Sequence, residues 1–307
     1  MTINNQEILR MLEFHKPKRE LSAVIQGHQE KIKYIMEKES LSKPKDLITI
    51  ARDFKELVKL DENELKTKYN VLKIEELKRT YSDFELSLED GDIHATLFGY
   101  EGKTLPEFPL DLESLNINEC PNLAIIAEFP LGLKELDIFD CENLESITEF
   151  PPSLKTLKVT KCSNLEAIRD FPPGLESLTI MDCENLEVLP EFPPGLETLA
   201  ILNCPKLESV PELPSGLERL AILHCDKIET LPEFPPGMKS LEIWYCNRLT
   251  HLPDFPLGLE RLDINSCYKL SHIPELPCGL EKLDIVGCRN LNQETRDRIE
   301  EFNNRQS

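Results

Sequence analysis

The chain is 307 residues long and 40% hydrophobic, enough to bury the core of one large domain or two ordinary ones, and it sets 56 Asp and Glu against 35 Lys and Arg for a net charge of −21. That excess of negative charge repels a nucleic-acid backbone or an anionic lipid surface, so neither is expected as a partner. No run approaches the ~20 continuous apolar residues of a membrane span, and the start MTINNQEILRMLEF lacks the basic region and apolar run of a cleaved leader.

Residues 1–100 hold 17 basic and 19 acidic side chains, whereas 101–307 hold 18 and 37 together with 21 of the 23 prolines and all 10 cysteines. This shift places a domain boundary near Gly99 to Thr104. The first part, 1–100, predicts a helical cap domain of about four helices. Asn4 with Glu7 resembles a capping box before Ile8, Met11 and Leu12, and Leu21, Val24, Ile25, Ile32, Ile35 and Met36 keep helical spacing. Leu47, Ile50, Ala51, Phe54, Leu57 and Val58 form a further stripe, and Leu65, Tyr69 and Leu72 another. Phe84 to Tyr100, with Glu89-Asp90-Gly91-Asp92 between apolar alternations, predicts a hairpin or a degenerate first repeat.

From there a strict period takes over. Cys120, Cys141, Cys162, Cys183, Cys204, Cys225, Cys246, Cys267 and Cys288 follow one another at intervals of 21 residues without an insertion. The frame is L-x-x-L-x-I-x-x-C-x-x-L, with Met238 for the first Leu in one repeat and Val159 for the Ile in another. A proline-rich second half follows, as in LPEFPPG at 189–195 and 231–237, with Pro at every place of one column from Pro109 to Pro277.

An L-x-I core alternates with period two, so each unit makes a short strand that turns Leu and Ile inward. Strands recurring every 21 residues stack in parallel. The remaining residues are too few for a helix, and paired prolines remove amide donors, so the return path is expected to be extended or polyproline-like. A single unit cannot bury its own apolar edge; stability comes from stacking, and both ends need covers. The result is a solenoid over 101–291 of about nine rungs, roughly 40 Å long at about 4.8 Å per rung. After it, 292–307 provides a capping helix and tail in which Ile299 and Phe302 cover the last rung.

The cysteine column predicts neither disulfides nor a metal site. In-register neighbours about 4.8 Å apart exceed the Cβ separation of about 3.5–4.5 Å that a disulfide prefers, and a straight column cannot surround a tetrahedral ion. A buried, reduced thiol ladder giving weak S–H donors to nearby carbonyls is expected, which implies a reducing compartment. Cys278 lies off the ladder and is the thiol expected to be reachable.

Outward strand positions vary without disturbing the core and carry the binding information. One column reads Asn118, Phe139, Thr160, Met181, Leu202, Leu223, Trp244, Asn265, Val286; beside its apolar middle stand Asn203, His224 and Tyr245, and the small Ala200 and Ala221. Phe139, Met181, Leu202, Leu223, His224, Trp244 and Tyr245 are therefore the candidate protein-binding residues, and Trp244 is the sole tryptophan. Two acidic columns, Glu107 to Glu275 and Glu145 to Glu229, predict solvated faces or a docking edge for a basic partner. No G-x-x-x-x-G-K-[ST] or H-E-x-x-H occurs, and His224, His251 and His272 have no nucleophile or carboxylate at a spacing suited to catalysis. No cofactor, no metal and no enzymatic activity are expected. Glycines 132, 174, 195, 216, 237, 258 and 279 share one column and are assigned to turns.

The unit LPEFPPGLETLAILNC resembles the repeats of secreted leucine-rich-repeat effectors of bacterial pathogens, the YopM and IpaH type, in which such repeats follow an amino-terminal helical cap. The likeness covers 105–291; cysteine stands where that family usually has asparagine. The resemblance implies an α/β leucine-rich-repeat solenoid with its parallel sheet on the concave face and a helical N-terminal domain. It also implies a bacterial protein, made in the bacterial cytoplasm and delivered to the host cell cytoplasm, that serves as scaffold or adaptor for a host protein. A ligase of that family needs a separate catalytic domain, and only 16 residues follow Leu291. The alternative is the substrate-recognition part of an enzyme whose activity lies in 1–100 or in a partner such as a ubiquitin ligase. The frame also resembles repeats of plant immune receptors, whose nucleotide-binding region has no counterpart here.

Overall fold

The frame L-x-x-L-x-I delivers one short strand per repeat. In the computed structural model these are β3 (Leu112–Asn118), β5 (Glu135–Phe139), β7 (Thr156–Thr160), β8 (Ser177–Met181), β9 (Thr198–Leu202), β10 (Arg219–Leu223), β11 (Ser240–Trp244), β12 (Arg261–Asn265) and β13 (Lys282–Val286). The structure describes residues 77–78, 84–89 and 92–306, apart from 107, 110, 111, 127, 128, 131 and 148. The helices expected within 1–76, the Asn4–Glu7 capping box and the carboxylates Glu107 and Glu128 lie outside the described residues. The chain divides after Leu72 into two units, and all the described residues belong to the second, Lys73–Ser307.

All nine strands pair in parallel and in register, Leu on Leu and Ile on Ile or Val159, so each inward column is a continuous row. Two further strands precede them: β1 (Phe84–Glu89) and β2 (Asp92–Phe98) form an antiparallel hairpin, and β2 pairs parallel with β3, completing an 11-stranded sheet. The segment is thus both a hairpin and a degenerate rung, with Ala95 opposite Leu115 and Leu97 opposite Ile117, all four buried. The chain is a leucine-rich-repeat solenoid of parallel strands with a 21-residue period.

The core is one strip running through the stack. Leu115, Ile117, Cys120 and Leu123 and their successors in the following rungs are almost fully buried as far as Leu270. At roughly 1.5–3 kcal/mol for each fully buried aliphatic side chain, this strip dominates stability. The nine ladder thiols are buried and free, and Cys278 is exposed. Each ladder thiol donates to a strand carbonyl, for instance Cys225 Sγ to Leu223 O at 3.4 Å and to Ile201 O at 3.8 Å. Burial pushes the thiols in the middle of the ladder up, Cys204 and Cys246 to about 11 and Cys162 to about 12, so these stay neutral at physiological pH, whereas at its two ends the neighbouring thiol lowers Cys120 and Cys288, the latter to about 7.

On the return side Phe129 stacks on Phe150, Phe171 on Phe192 and Phe234 on Phe255, with ring centroids 5.9–6.2 Å apart. The return path is not wholly extended coil. A small second ladder joins β4 (Ile125–Ile126) to β6 (Ser146–Ile147), and Ala167 bridges to Val188. It forms where the following column holds Ala127, Thr148 and Arg169 and ends where that column becomes Pro190, Pro211, Pro232, Pro253 and Pro274. Proline lacks the amide donor and constrains the residue before it, which accounts for the ladder's end.

The repeat glycines lie in turns, as expected, but none of those described carries a positive φ. Close approach favours glycine at two of these places, Gly174 and Gly216, where a Cβ would stand 3.3 Å from the carbonyl oxygens of Pro152 and Pro194, whereas at Gly195 the nearest atom would be 3.8 Å away. In the same column Ser153 donates through Oγ to Leu133 O at 2.7 Å. At the far end α1 (Gln293–Gln306) covers the last rungs, with Asn292 capping it through Oδ1, which accepts from Thr295 N at 2.9 Å. Ile299 and Phe302 pack on the core, and Arg298 donates to Ile273 O at 2.8 Å.

Candidate functional site

Each strand ends in the same way. The residue before every ladder cysteine sits in the left-handed region, from Glu119, Asp140 and Lys161 through Asp182, Asn203, His224 and Tyr245 to Ser266, all with φ between 52° and 55°, and the column closes in Gly287 at 73°. Gly99 at 63° occupies the equivalent place after β2. This residue swings the chain out of the sheet, and its amide still donates to the next rung, as Tyr245 N does to Asn265 O at 2.8 Å. Its side chain therefore projects along the rim where the strands end. For a residue with a Cβ this conformation costs roughly 1–2 kcal/mol, and Asp and Asn tolerate it best. Glu119, Lys161 and Tyr245 are there against local preference.

The candidate residues divide into a contiguous group and an outlier. Met181, Leu202, Leu223 and Trp244 are direct register neighbours on β8 to β11, half-exposed on the outward face. Ala200 and Ala221 beside them make that face shallow. His224 and Tyr245 flank the strip at the rim and stack on each other, centroids 4.4 Å apart and planes 13° apart. Phe139 is separated from this group by Thr160, which is buried, and the ammonium of Lys161 lies 4.9 Å above its ring.

Several participants were not singled out from the sequence. Trp244 Nε1 donates to Asp263 Oδ1 at 2.8 Å, which holds the indole across the next strand. Burial pushes the Asp263 carboxyl up, against the hydrogen bond from Trp244, and neighbouring Asp284 adds to the rise. With Glu242 and Asp284 it gives the carboxy-terminal end of the face an acidic middle column. Tyr268 carries the Arg289 guanidinium 5.7 Å above its ring. The signal for these was the period itself, because partners one rung apart differ by 21 residues give or take two.

The acidic columns lie away from this patch. Glu149, Asp170, Glu191, Glu212, Glu233, Asp254 and Glu275 are exposed, as is the row Glu145 to Glu229, within which Lys227 pairs with Glu208 at 2.9 Å and Arg248 pairs with Glu229. Of the histidines, His251 is exposed with Nδ1 3.0 Å from Thr250 Oγ1, and His272 lies 3.4 Å from Thr295 Oγ1 on the cap helix. Among the described residues no three His, Cys, Asp or Glu side chains converge as metal ligands, and no helix is long and apolar enough to cross a membrane.

No protein-family model and no curated protein sequence matches the chain. Solved structures do. The leucine-rich-repeat domain of the type III effector XCV3220 (XopL) is 17% identical, with 93% of this chain and 96% of that one covered and a TM-score of 0.48. YopM from Yersinia enterocolitica WA-314 is 24% identical over 60% of this chain, with a TM-score of 0.31, and the match spans 53% of that protein's own length. A leucine-rich repeat protein from Bacteroides ovatus ATCC 8483 is 19% identical, covering 68% of each chain with a TM-score of 0.41.

Proposed function

We propose that the chain is a protein-binding module without chemistry of its own, a scaffold or adaptor that grips a partner through the outward face of its sheet. The observation that carries this reading is the strip Met181, Leu202, Leu223 and Trp244, four apolar side chains held in register on a face whose inward positions are already filled. A contiguous apolar patch rimmed by polar groups and centred on a tryptophan is the usual anatomy of a recognition surface. The rigid stack beneath it holds the patch in place before binding, which lowers the ordering cost of association. The resemblance to translocated bacterial effectors extends the proposal to a host protein as partner and the host cytoplasm as the place of action. The buried, reduced thiol ladder suits such a reducing compartment.

The test is retention of host-cell proteins by the full chain beside a Leu223→Ala, Trp244→Ala variant and a Glu149→Gln, Glu233→Gln control on the return side. A partner kept by wild type and control and lost by the double variant supports the reading. Equal retention by all three overturns it.

A further inference from the structure

Two aromatic rings near the strand ends carry a cation from the following rung: Lys161 covers Phe139 and Arg289 covers Tyr268. Tyr245, in the column between them, has no such cap. One face of its ring is stacked on His224 in the preceding rung, and in-register pairing of β11 with β12 puts Ser266 at the equivalent place in the following one. Ser266 is too short to reach over a ring, and its Oγ is turned to Asn265 Oδ1 at 2.7 Å. One rung further the column holds Gly287, where even a Cβ would stand 2.7 Å from Ser266 Oγ. The rim beyond Tyr245 is therefore a notch with one flat aromatic wall, and Tyr245 remains 37% exposed. Among the described residues no cation lies over its ring.

The outward column on the far side of Trp244, Asn265 and Val286 is Glu242, Asp263 and Asp284, of which Asp263 is engaged by the indole of Trp244, and Arg289, the cation that follows Gly287, is already held over Tyr268. An aromatic face attracts a guanidinium or ammonium through its quadrupole, more strongly where carboxylates stand close and water is partly excluded.

We propose that the notch formed by Tyr245, Ser266 and Gly287 receives an arginine or lysine side chain of the protein partner, next to apolar residues that seat on Leu223 and Trp244. This rests on the sheet-face reading above and adds the partner's chemistry: a basic residue flanked by large aliphatic or aromatic ones. The partner's cation stands over Tyr245 as Lys161 stands over Phe139 and Arg289 over Tyr268.

The experiment is selection of a random peptide library on the immobilised full chain, followed by synthesis of an enriched peptide and of its form with citrulline in place of arginine (or norleucine in place of lysine). Enriched peptides are expected to combine Arg or Lys with Leu, Phe, Ile or Met, and loss of the cation is expected to weaken binding about two- to thirty-fold, the range a cation contributes over an aromatic face. Tyr245→Phe is expected to keep this discrimination. Tyr245→Leu is expected to lose it, and so is Ser266→Lys, which supplies the cation from within. Peptides that bind through Leu223 and Trp244 with no cation preference, or that are acidic, overturn the notch and leave the sheet-face reading standing. If nothing is enriched, or if enriched peptides bind the Leu223→Ala, Trp244→Ala variant equally well, both are overturned.

Discussion

The indole Nε1 of Trp244 donates to Asp263 Oδ1 at 2.8 Å, so the largest side chain of the candidate surface is tied to a carboxylate on the next strand. Because burial raises the Asp263 pKa, the folded chain holds that proton more tightly than the unfolded one. The group opposes folding while both states are ionised, and that opposition disappears as pH falls through its folded value. The emission of the sole tryptophan should therefore titrate above the ~3.9 of an unperturbed aspartate. Asp263→Asn should abolish that transition; an unchanged titration in the variant would dissociate it from this contact.

The left-handed column makes opposite predictions for two substitutions. Glu119 is exposed at φ 52°, and Glu119→Gly should raise stability by about 1 kcal/mol, the relief of a strained Cβ less the added freedom of the unfolded chain. Gly287 has φ 73° and no room for a Cβ beside Ser266 Oγ, so Gly287→Ala should lower stability by at least about 1 kcal/mol. Urea midpoints compare the two; the same sign for both would contradict the assignment.

That column also marks where the sequence stops being transparent. Inward Leu, Ile and Cys repeat by type, because burial on a pleated strand admits few residues, and they locate the strands. The left-handed places are Glu, Asp, Lys, Asn, His, Tyr and Ser, with no shared chemistry, since their common feature is a backbone angle. Gly99 and Gly287 at its ends were the available clue. The contiguity of Met181, Leu202, Leu223 and Trp244 was legible from the period alone, because register was fixed by the buried rows. The separation of Phe139 from them was not, because it depends on Thr160 being buried on a face where most neighbours are half-exposed.

The phenylalanine row on the return side is interrupted by Leu213, half-buried between the rungs of Phe192 and Phe234. Leu213→Phe should complete the stack and stabilise the chain by about 0.5–1.5 kcal/mol. A loss in thermal or urea denaturation would mean that the site is already filled and cannot take the larger ring.

The thiol ladder predicts alkaline lability. Unfolded thiols ionise near ~8.5, whereas burial pushes Cys204 and Cys246 up to about 11 and Cys162 to about 12. Their contribution is fully present below the unfolded value and is lost as pH rises from there through the folded values. The urea midpoint should fall between about pH 9 and 11, less steeply in Cys204→Ala. A flat profile over that range would show that the ladder is not shielded from solvent.

The most direct measurement of the sheet-face reading is site-specific photocrosslinking in a eukaryotic cell lysate, with a benzophenone amino acid at Leu223 or at Leu257, which is 82% exposed on the proline-rich half. Position 223 should give a discrete adduct, lost when Trp244→Ala is added, and position 257 none. An adduct from 257 with none from 223 would contradict that reading.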